Sequence, residues 1–434
     1  MKNNTINTQP ASGFRDFQAK EQIFKQWCVN TINAIYSKYG YDPISTPAVE
    51  KIEVLNGKSG EESDMLMFKI SQRGEKSGEA EDMGLRYDFT VPLARFYAEY
   101  KGQLPKIFKR QQIGPCWRAE RPGKGRFREF YQADIDTIGS SSILVETDTI
   151  LVLAEALKAI GLDGLVAKIN SRELLQAIMD IYNIEKEKQN SFLVALDKFD
   201  KIGVEGVKEE LVKRGFDIKI GEEIMNVLLD EELLKEKLES SELGKKSLGE
   251  VKQVVDWINT NSKDAEAVFS PFVIRGQDYY TGIIFEIYSI GVTGAAAGGG
   301  RFDNLVGMFS GEDNIPACGG SIGLDRNVSI LLEQGKGIIK DNKPKILVTV
   351  WDKDMITNSL NIASKLRELG LQTELYLGDD KIGDQLKYAV ASGCKYCIIC
   401  GPDEKEKEEV TVKNLDTREQ NNISLNELTN FNFQ

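Results

Sequence analysis

The apolar positions near the N-terminus recur at the spacing of an α-helix. Over residues 21–38, apolar side chains return about every 3.6 positions, as one face of a helix requires. Gly40 ends this pattern, and the proline-containing residues 41–49 predict extended chain. A second helix is predicted over residues 144–160, where Leu and Ala dominate. The apolar positions of the first helix are Ile23, Phe24, Trp27, Ile32, Ile35 and Tyr36.

The middle of the chain changes character between residues 170 and 262. Lys, Glu and Leu recur there with helical periodicity and without a proline. We therefore expect a helical insertion with a small core of its own. Strand-rich, glycine-dense sequence returns over residues 268–328, while the polar residues 71–82 predict a flexible hairpin tip.

A new alternation of strands and helices follows a linker near residues 335–344. Strands alternating with helices are typical of a compact α/β domain built from βαβ units. The predicted strands are residues 345–350, 372–377 and 396–399, and the predicted helices are residues 355–369 and 381–392.

The composition excludes several kinds of active site. The 434 residues include no histidine, which rules out Ser-His-Asp triads, Cys-His pairs and every metal site that needs an imidazole ligand. The formal net charge of −12 argues against a protein that coats nucleic acid, although a local basic face remains possible. The six cysteines, the lack of an apolar leader and the lack of a long apolar stretch predict a cytoplasmic protein without a membrane segment.

One basic stretch stands out in this acidic chain. Residues 101–130 contain nine basic and two acidic residues, with aromatic side chains close by. Guanidinium groups pair with phosphate or carboxylate through two hydrogen bonds, and an aromatic ring beside them can hold a base between cation and ring. A solvated basic hairpin is the alternative that composition alone leaves open. The aromatic residues are Trp117, Phe127, Phe130 and Tyr131.

Several motifs resemble those of the histidyl-tRNA synthetase family of class II aminoacyl-tRNA synthetases. WRAERPGKGRFREF is similar to motif 2, an Arg-x-Glu strand followed by a loop and Arg-x-x-x-Phe, and SIGLDR is similar to motif 3. The helix over residues 21–38 and the strand after it resemble motif 1. RGQDYYTGIIFE is also similar to the family, and its first eight residues, RGQDYYTG, are highly specific for it. These stretches are collinear with the family over nearly the whole chain, at residues 84–96, 113–136, 275–286, 298–307 and 321–326.

The resemblance implies an α+β fold with two parts. The first is a class II antiparallel-sheet catalytic domain that contains a helical insertion, and the second is a C-terminal α/β anticodon-binding domain. We expect the catalytic domain at residues 1–169 and 263–335, the insertion at 170–262 and the anticodon-binding domain at 345–434. These divisions agree with the changes in sequence character described above.

The implied activity is that of a histidine–tRNA ligase, which activates L-histidine with ATP to histidyl-adenylate and transfers histidine to tRNA(His). A carboxylate is already ionised near neutral pH, so the reaction needs cations more than it needs a general base. The resemblance assigns Arg118 and Arg275 as the catalytic cations. It assigns the ATP site to Arg118, Glu120, Arg126, Phe130 and Arg326, with Phe130 stacked on adenine and Arg326 at the γ-phosphate.

The resemblance also implies a pocket for the amino acid. Asp88 and Thr90 would hold the α-ammonium group, and Asp136 and Tyr280 would hold the two imidazole nitrogens. A buried carboxylate that waits for an N–H donor discriminates against isosteres that lack one. The full set of residues assigned to histidine is Asp88, Thr90, Arg118, Gln132, Asp136, Arg275, Tyr279 and Tyr280.

The implied partners are tRNA(His), L-histidine, ATP as substrate with Mg²⁺, and a second copy of the chain in a homodimer. The loop at residues 121–128 is the candidate contact for the acceptor end of the tRNA. No residue is assigned to a metal. Three cysteines with CxxCxxC spacing at residues 394–400 lack a fourth ligand, so we interpret them as buried structural residues.

One alternative belongs to a different functional class. A non-catalytic paralogue of this family senses histidine and regulates ATP phosphoribosyltransferase. Such paralogues typically lose the catalytic arginine and the C-terminal domain. This chain keeps Arg118, Arg275 and Arg326 together with a full α/β tail, which favours the enzyme.

Overall fold

The structure is a computed structural model. It describes residues 6–57, 66–71, 82–123, 125–275, 279–337 and 344–433. Most of the predicted hairpin tip at residues 71–82 lies outside the described residues, as do residues 276–278 of the RGQDYY motif. The chain divides into two compact units, Met1–Ile338 and Ile339–Gln434.

An eight-stranded sheet runs through the first unit, and a three-stranded sheet accompanies it. The strands of this unit are β1 (Asp42–Pro43), β2 (Val49–Lys51), β3 (Phe68–Ile70), β4 (Met83–Leu85), β5 (Phe108–Trp117), β6 (Glu129–Ile138), β7 (Leu165–Ser171), β8 (Ala265–Phe269), β9 (Ile283–Tyr288), β10 (Ala297–Arg301) and β11 (Ala317–Gly323). The large sheet has the order β1-β5-β6-β11-β10-β9-β7-β8, and β2-β4-β3 form the small one. Within the described strands, β1–β5 and β7–β8 pair in parallel and all other neighbours are antiparallel.

Strands β5 and β6 form a long antiparallel hairpin that carries the basic stretch. Each has ten residues, and the two pair along their whole length. Successive side chains of a strand point to opposite faces, so positions 130, 132, 134 and 136 of β6 share one face of the sheet. A bridge between Gly123 and Arg126 joins the two arms of the loop between β5 and β6.

Twelve helices lie in the described part of the first unit. They are α1 (Ala19–Lys38), α2 (Ile52–Asn56), α3 (Thr90–Tyr100), α4 (Leu144–Ala159), α5 (Arg172–Ile181), α6 (Lys186–Leu196), α7 (Phe199–Lys213), α8 (Ile218–Leu229), α9 (Glu231–Leu238), α10 (Glu242–Asn261), α11 (Asp303–Ser310) and α12 (Leu324–Glu333). A 3₁₀-helix, Lys101–Gln103, follows α3.

Helix α4 covers one face of the large sheet. It packs against α1 and β11, and its apolar side chains Ile150, Leu153 and Leu157 are fully buried. A Cβ atom added to Gly320 of β11 would meet the Leu153 side chain, whereas one added to Gly319 would meet an acidic side chain of β6. The two faces of the sheet therefore differ, because one packs on apolar helices and the other carries charge.

The segment between β7 and β8 is helical. The helices α5 to α10 form a core of their own, in which aliphatic and aromatic side chains interdigitate. Ser241 is the N-cap of helix α10, and its hydroxyl oxygen accepts a hydrogen bond from the Gly244 N–H at 3.1 Å and so satisfies one free donor of the first turn. The core includes Leu174, Ile178, Phe192, Leu211, Ile224, Leu228 and Leu248.

The second unit is a mixed five-stranded sheet with helices. Its elements are β12 (Ile346–Val348), α13 (Ile356–Glu368), β13 (Thr373–Leu375), α14 (Ile382–Ala391), β14 (Tyr396–Ile399), α15 (Pro402–Glu406), β15 (Glu409–Asn414) and β16 (Gln420–Ser424), with short 3₁₀-helices at Lys353–Met355 and Leu428–Asn430. Strand β12 is parallel to β13 and β14, which confirms the expected βαβ units. Strands β15 and β16 add an antiparallel hairpin that the sequence pattern did not predict.

The fold confirms the predicted class, a mixed fold with a large, mainly antiparallel sheet and a separate α/β unit. The helices expected near residues 21–38 and 144–160 are α1 and α4. The three cysteines of the CxxCxxC stretch are buried, with Cys394 and Cys397 in one apolar cluster and Cys400 in another. No helix in the described ranges is long and apolar enough to cross a membrane.

Candidate active site

A polar cavity lies on the charged face of the large sheet, opposite α4. All eight residues that the sequence assigned to the amino-acid substrate lie in its lining. Among the residues that the structure describes, the lining consists of Asp88, Thr90, Arg118, Gln132, Asp134, Asp136, Arg275, Tyr279, Tyr280, Gly298, Phe302, Gly319, Gly320 and Ser321.

Strand β6 contributes three polar side chains to the cavity. Gln132, Asp134 and Asp136 reach it together because alternate positions of a strand share one face. The Gln132 side-chain amide donates to the Ser321 hydroxyl oxygen at 2.7 Å. Gly319 lies opposite Asp136 in the β6–β11 ladder, and a Cβ atom there would overlap the Asp136 carboxylate. A glycine at position 319 therefore leaves the space that the carboxylate occupies.

A fully buried guanidinium accompanies these carboxylates. Arg110 of β5 lies opposite Asp136 in the β5–β6 ladder and forms an ion pair with it, and both side chains are shielded from water. Burial raises the pKa of Asp136 to about 6, although the Arg110 charge opposes that rise. Burial likewise raises the pKa of Asp134 to about 7. Two carboxyl groups share one cation, so this end of the cavity favours a ligand that donates N–H groups or carries positive charge.

A third carboxylate stands at the start of helix α3. Asp88 accepts a hydrogen bond from the Val91 N–H at 3.1 Å through one oxygen, and its other oxygen has no hydrogen-bond partner among the described residues. Burial raises the pKa of Asp88, while the Val91 N–H and the nearby Arg118 lower it. Thr90, the first residue of α3, lines the cavity beside it. The pair offers an acceptor for a small cation such as an ammonium group.

Arg118 reaches the cavity from the end of β5. Its Nε donates to the Tyr87 carbonyl oxygen at 3.1 Å, and its guanidinium lies 5.0 Å from the centre of the Phe130 ring. This places a cation and an aromatic face side by side at the mouth of the cavity. Such an arrangement can hold a planar base against the ring while the guanidinium meets an anion.

Arg275 reaches the same cavity from a distant part of the chain. Its Nη1 atom lies 3.4 Å from a carboxylate oxygen of Glu286, and its guanidinium lies 5.6 Å from the centre of the Tyr280 ring. A Cβ atom at Gly298 of β10 would overlap the Arg275 guanidinium. The Tyr279 and Tyr280 rings are 4.8 Å apart and complete this wall.

Arg326 is adjacent to this group but outside the cavity lining. It donates to the Thr293 carbonyl oxygen. Burial and the Arg126 charge lower the pKa of Arg326, while the Glu286 carboxylate raises it. Glu286 thus stands near both Arg275 and Arg326. Arg275 and Arg118 line one cavity, and Glu286 links them to Arg326 because it contacts Arg275 and its charge also acts on Arg326.

The remaining ATP-site candidates lie in the loop between β5 and β6. The side chains of Glu120 and Arg126 are exposed, and neither lines the cavity. The Glu120 carbonyl oxygen accepts from Arg128 Nε at 3.2 Å, which ties the two arms of the loop together. Arg126 approaches Arg326 closely enough to affect its pKa. These residues therefore form an outer rim beyond the cavity.

Comparison with known proteins decides the family. The family model described as histidyl-tRNA synthetase matches residues 13–326, and the one described as an anticodon binding domain matches residues 342–431. The chain belongs to the histidyl-tRNA synthetase family. A histidine–tRNA ligase of Gloeobacter violaceus is 35% identical over 95% of this chain and 96% of its own length. One of Cytophaga hutchinsonii is 36% identical over 96% of this chain and 97% of its own length.

Solved structures of this family share the fold. The crystal structure of histidyl-tRNA synthetase from Nostoc sp. matches with a TM-score of 0.83 at 28% identity, over 98% of this chain and 99% of that chain. The structure of an ATP phosphoribosyltransferase regulatory subunit/histidyl-tRNA synthetase from Bacillus halodurans matches with a TM-score of 0.72 at 20% identity, over 88% of this chain and 97% of that one. At that identity the second likeness concerns the fold alone.

Three residues that line or support this cavity were not assigned from the sequence. Asp134 stands between Gln132 and Asp136 on the same face of β6, so strand alternation could have found it. Glu286 ends the RGQDYYTGIIFE stretch but carries no distinguishing signal of its own. Arg110 becomes visible only when the register of β5 against β6 is known.

Proposed function

We propose that this chain activates L-histidine with ATP and transfers the histidyl group to tRNA(His). The observation that carries this proposal is the meeting of Arg118 and Arg275 in one cavity with Asp88 and Asp136. Two cations and two separated carboxylates match the charges of an amino acid that presents its carboxylate to a phosphate. The names of the relatives, histidine–tRNA ligases from several bacteria, support the same activity.

The first step needs no general base from the protein. An oxygen of the ionised histidine carboxylate attacks the α-phosphorus of ATP, the bond from that phosphorus to the bridging oxygen breaks, and diphosphate leaves. Negative charge accumulates at the phosphorus, so positioned cations accelerate this step. Arg118 and Arg275 are assigned this role. Glu286 contacts Arg275 at 3.4 Å, and Gly298 leaves the space that the Arg275 guanidinium occupies.

The amino acid is oriented by the carboxylates at the two ends of the cavity. The α-ammonium group pairs with Asp88 beside Thr90, and Gln132 assists it. The imidazole donates an N–H to Asp136, and Tyr280 meets its other nitrogen while Tyr279 packs beside the pair. Arg110 holds Asp136 in place, so the acceptor is preorganised and an amino acid without a ring N–H leaves it unpaired.

The nucleotide extends from the cavity toward the loop between β5 and β6. Adenine stacks on Phe130, whose ring already faces the Arg118 guanidinium at 5.0 Å. Arg326 meets the γ-phosphate, with Arg126 and Glu120 on the outer rim. The mutual repulsion of Arg126 and Arg326, which contributes to lowering the Arg326 pKa, favours a polyanion between them.

Mg²⁺ enters this scheme as part of the MgATP substrate. Within the ranges that the structure describes, no cluster of three acidic, thiol or imidazole side chains could hold a metal ion. These side chains are therefore consistent with a Mg²⁺ ion that is coordinated mainly by the ATP phosphates and by water, as Mg²⁺ commonly is. No step is assigned to a metal held by the protein.

The remaining assignments rest on the family resemblance. The unit that matches the anticodon binding domain is assigned to the anticodon of tRNA(His), and the loop at residues 121–128 to its acceptor end. In the second step a terminal ribose hydroxyl of the tRNA attacks the adenylate carbonyl, and AMP leaves.

We expect a cytoplasmic homodimer. Sedimentation of the purified chain with and without tRNA(His) tests the dimer.

The proposed activity is tested by exchange of labelled diphosphate into ATP. The folded chain should catalyse this exchange in the presence of L-histidine and lack it with the other amino acids. Folded protein that binds histidine without any exchange would favour the regulatory paralogue instead. Charging of a tRNA(His) transcript with labelled histidine then tests the second step.

A further inference from the structure

A buried ion pair joins the N-terminal helix to the start of helix α12. Lys25 Nζ of α1 lies 2.6 Å from Asp325 Oδ1, and the two side chains are only 5% and 3% exposed. The residues are 300 positions apart, and neither lies in the cavity lining. Asp325 directly precedes Arg326, so this pair reaches the cation assigned to the γ-phosphate through one peptide bond.

The second carboxylate oxygen of Asp325 accepts a hydrogen bond from the backbone of β6, just beyond the end of the β6–β11 ladder. The β6–β11 ladder ends with Gln132 opposite Gly323, where the chain leaves the sheet and begins α12. One residue beyond the end of that ladder, the Tyr131 N–H donates to Asp325 Oδ2 at 2.7 Å, while Tyr131 still lies opposite Pro115 of β5. The carboxylate therefore fixes the backbone of β6 between Phe130 and Gln132.

Aromatic rings and the N-terminal segment cover this pair. The Lys25 ammonium lies 4.1 Å from the centre of the Phe17 ring and 3.6 Å from that of the Tyr131 ring. The segment at residues 12–17 also binds the loop between β5 and β6, because the Arg128 N–H donates to the Gly13 carbonyl oxygen at 2.8 Å. Arg15 stacks 4.4 Å from the Phe127 ring of the same loop. These groups shield the Lys25–Asp325 pair from water. The pair is connected to Phe130 through the Tyr131 N–H and to Arg326 through the backbone.

We propose that Lys25 and Asp325 are positioning residues for the nucleotide end of the active site. Asp325 sets the position of Phe130 through the Tyr131 N–H and that of Arg326 through the helix it starts. Lys25 balances the buried charge of Asp325 and anchors it to α1. Loss of Lys25 leaves the Asp325 carboxylate buried without its cation. We expect Asp325 to move as a result and to displace both Phe130, assigned to adenine, and Arg326, assigned to the γ-phosphate. This inference rests on the proposed function, because it assigns the pair to ATP.

The test measures diphosphate exchange with ATP and histidine varied separately. Lys25→Met should raise the KM for ATP about tenfold or more, since a displacement near 1 Å at a binding group has effects of that size or larger. The KM for histidine should stay within about twofold of the wild-type value, because Asp88 and Asp136 do not touch the pair. Lys25→Arg retains the cation and should restore most of the affinity for ATP.

The matched control is Glu146→Gln. Glu146 is buried and pairs with Arg301 at 2.6 Å, outside the cavity lining, so this variant disturbs a comparable pair without touching the nucleotide end. It should lower the thermal stability while leaving the ratio of the two KM values unchanged. If Lys25→Met does not fold, Asp325→Asn replaces it, because the amide keeps an acceptor for Tyr131 N–H and removes the charge.

The outcomes separate this inference from the proposed function. A wild-type chain without exchange overturns both. With an active wild type, equal increases of both KM values, or a fall of kcat alone, would assign the pair a purely structural role and overturn the inference. A selective rise of the KM for ATP that Lys25→Arg reverses supports it.

Discussion

Arg110 and Asp136 face each other across the β5–β6 ladder and form an ion pair from which water is excluded. The exposed fractions of the two side chains are 0% and 3%. One carboxylate oxygen of Asp136 also approaches Gly319, where only a hydrogen atom fits. Arg110 therefore balances the charge of the acceptor assigned to the imidazole, and Gly319, which lines the cavity, leaves the space that this carboxylate occupies.

Arg110→Met should destabilise the protein strongly. The change leaves the Asp136 charge buried without its cation, and breaking one side of such a pair costs about 3–5 kcal/mol of the free energy of unfolding. Urea denaturation at pH 7.5 measures this loss. A loss below about 1 kcal/mol would show that Asp136 does not depend on Arg110 for its charge.

Arg275→Ala should slow adenylation and leave folding intact. Its partner Glu286, at 3.4 Å, is 24% exposed, so water can hydrate the carboxylate that is left behind and we expect the fold to be retained. Removal of one cation that stabilises transition-state charge typically lowers kcat by about 10² to 10³. Single-turnover formation of histidyl-adenylate measures the rate. Near wild-type adenylation would contradict the role given to Arg275.

The control for Arg275→Ala is Arg95→Ala. Arg95 pairs with Glu50 at 2.7 Å and does not line the cavity. This variant should keep the wild-type adenylation rate. A comparable loss in Arg95→Ala would attribute the effect to a general loss of charge.

The stability of the protein should fall as the pH rises from about 4 to about 7. Burial raises the pKa of Asp134 from 3.8 to about 7 and that of Asp136 to about 6, so the folded state holds protons that the unfolded state releases. The contribution of these groups is fully present below pH 3.8 and is lost as the pH rises through their folded pKa values.

Asp134→Asn should remove most of this pH dependence. At pH 8 the variant should be more stable than the wild type, by an amount on the order of a few kcal/mol, because no charge has to be buried at position 134. Urea denaturation of both proteins at pH 5 and pH 8 makes the comparison. Parallel pH profiles for the two proteins would show that Asp134 is ionised at no cost in the folded state.

Gly298→Ala should impair catalysis by displacing Arg275. A methyl group there would overlap the guanidinium and also approach the Phe285 carbonyl oxygen at 3.0 Å. We expect the kcat of exchange to fall at least tenfold, given the sensitivity of such reactions to displacements near 1 Å. Gly249→Ala in helix α10 is the control, because a Cβ atom there meets open space. Equal activities in the two variants would contradict the account.

The residues within motifs that line the cavity could be predicted from the sequence, whereas the residues that contact and support them could not. The spacing of Arg118, Gln132 and Asp136 was visible in one stretch of chain, because one β-hairpin carries them: Arg118 directly follows β5, and the other two lie in β6. Arg110 required the strand register, and Lys25 required knowledge that α1 packs against α12. Local sequence patterns contain neither the strand register nor the helix packing, since both depend on the tertiary pairing of distant segments.

The same reasoning explains what was missed in the fold. Helices α13 and α14 of the second unit were predicted to within about two residues, because their apolar positions repeat strongly, whereas the short helix α15 was not predicted. Strand β16 has the polar sequence QNNIS and lies at the edge of its sheet with mostly exposed side chains, so no alternation signals it. Its pairing with β15 creates the strand.

The central claim is that three guanidinium groups surround one nucleotide beside a pocket for imidazole. A crystal structure of the chain with L-histidine and a non-hydrolysable ATP analogue tests it most directly. We predict the α-phosphate between Arg118 and Arg275, the γ-phosphate at Arg326 and the imidazole against Asp136. A nucleotide bound elsewhere, or an imidazole ring remote from Asp136, would contradict the account.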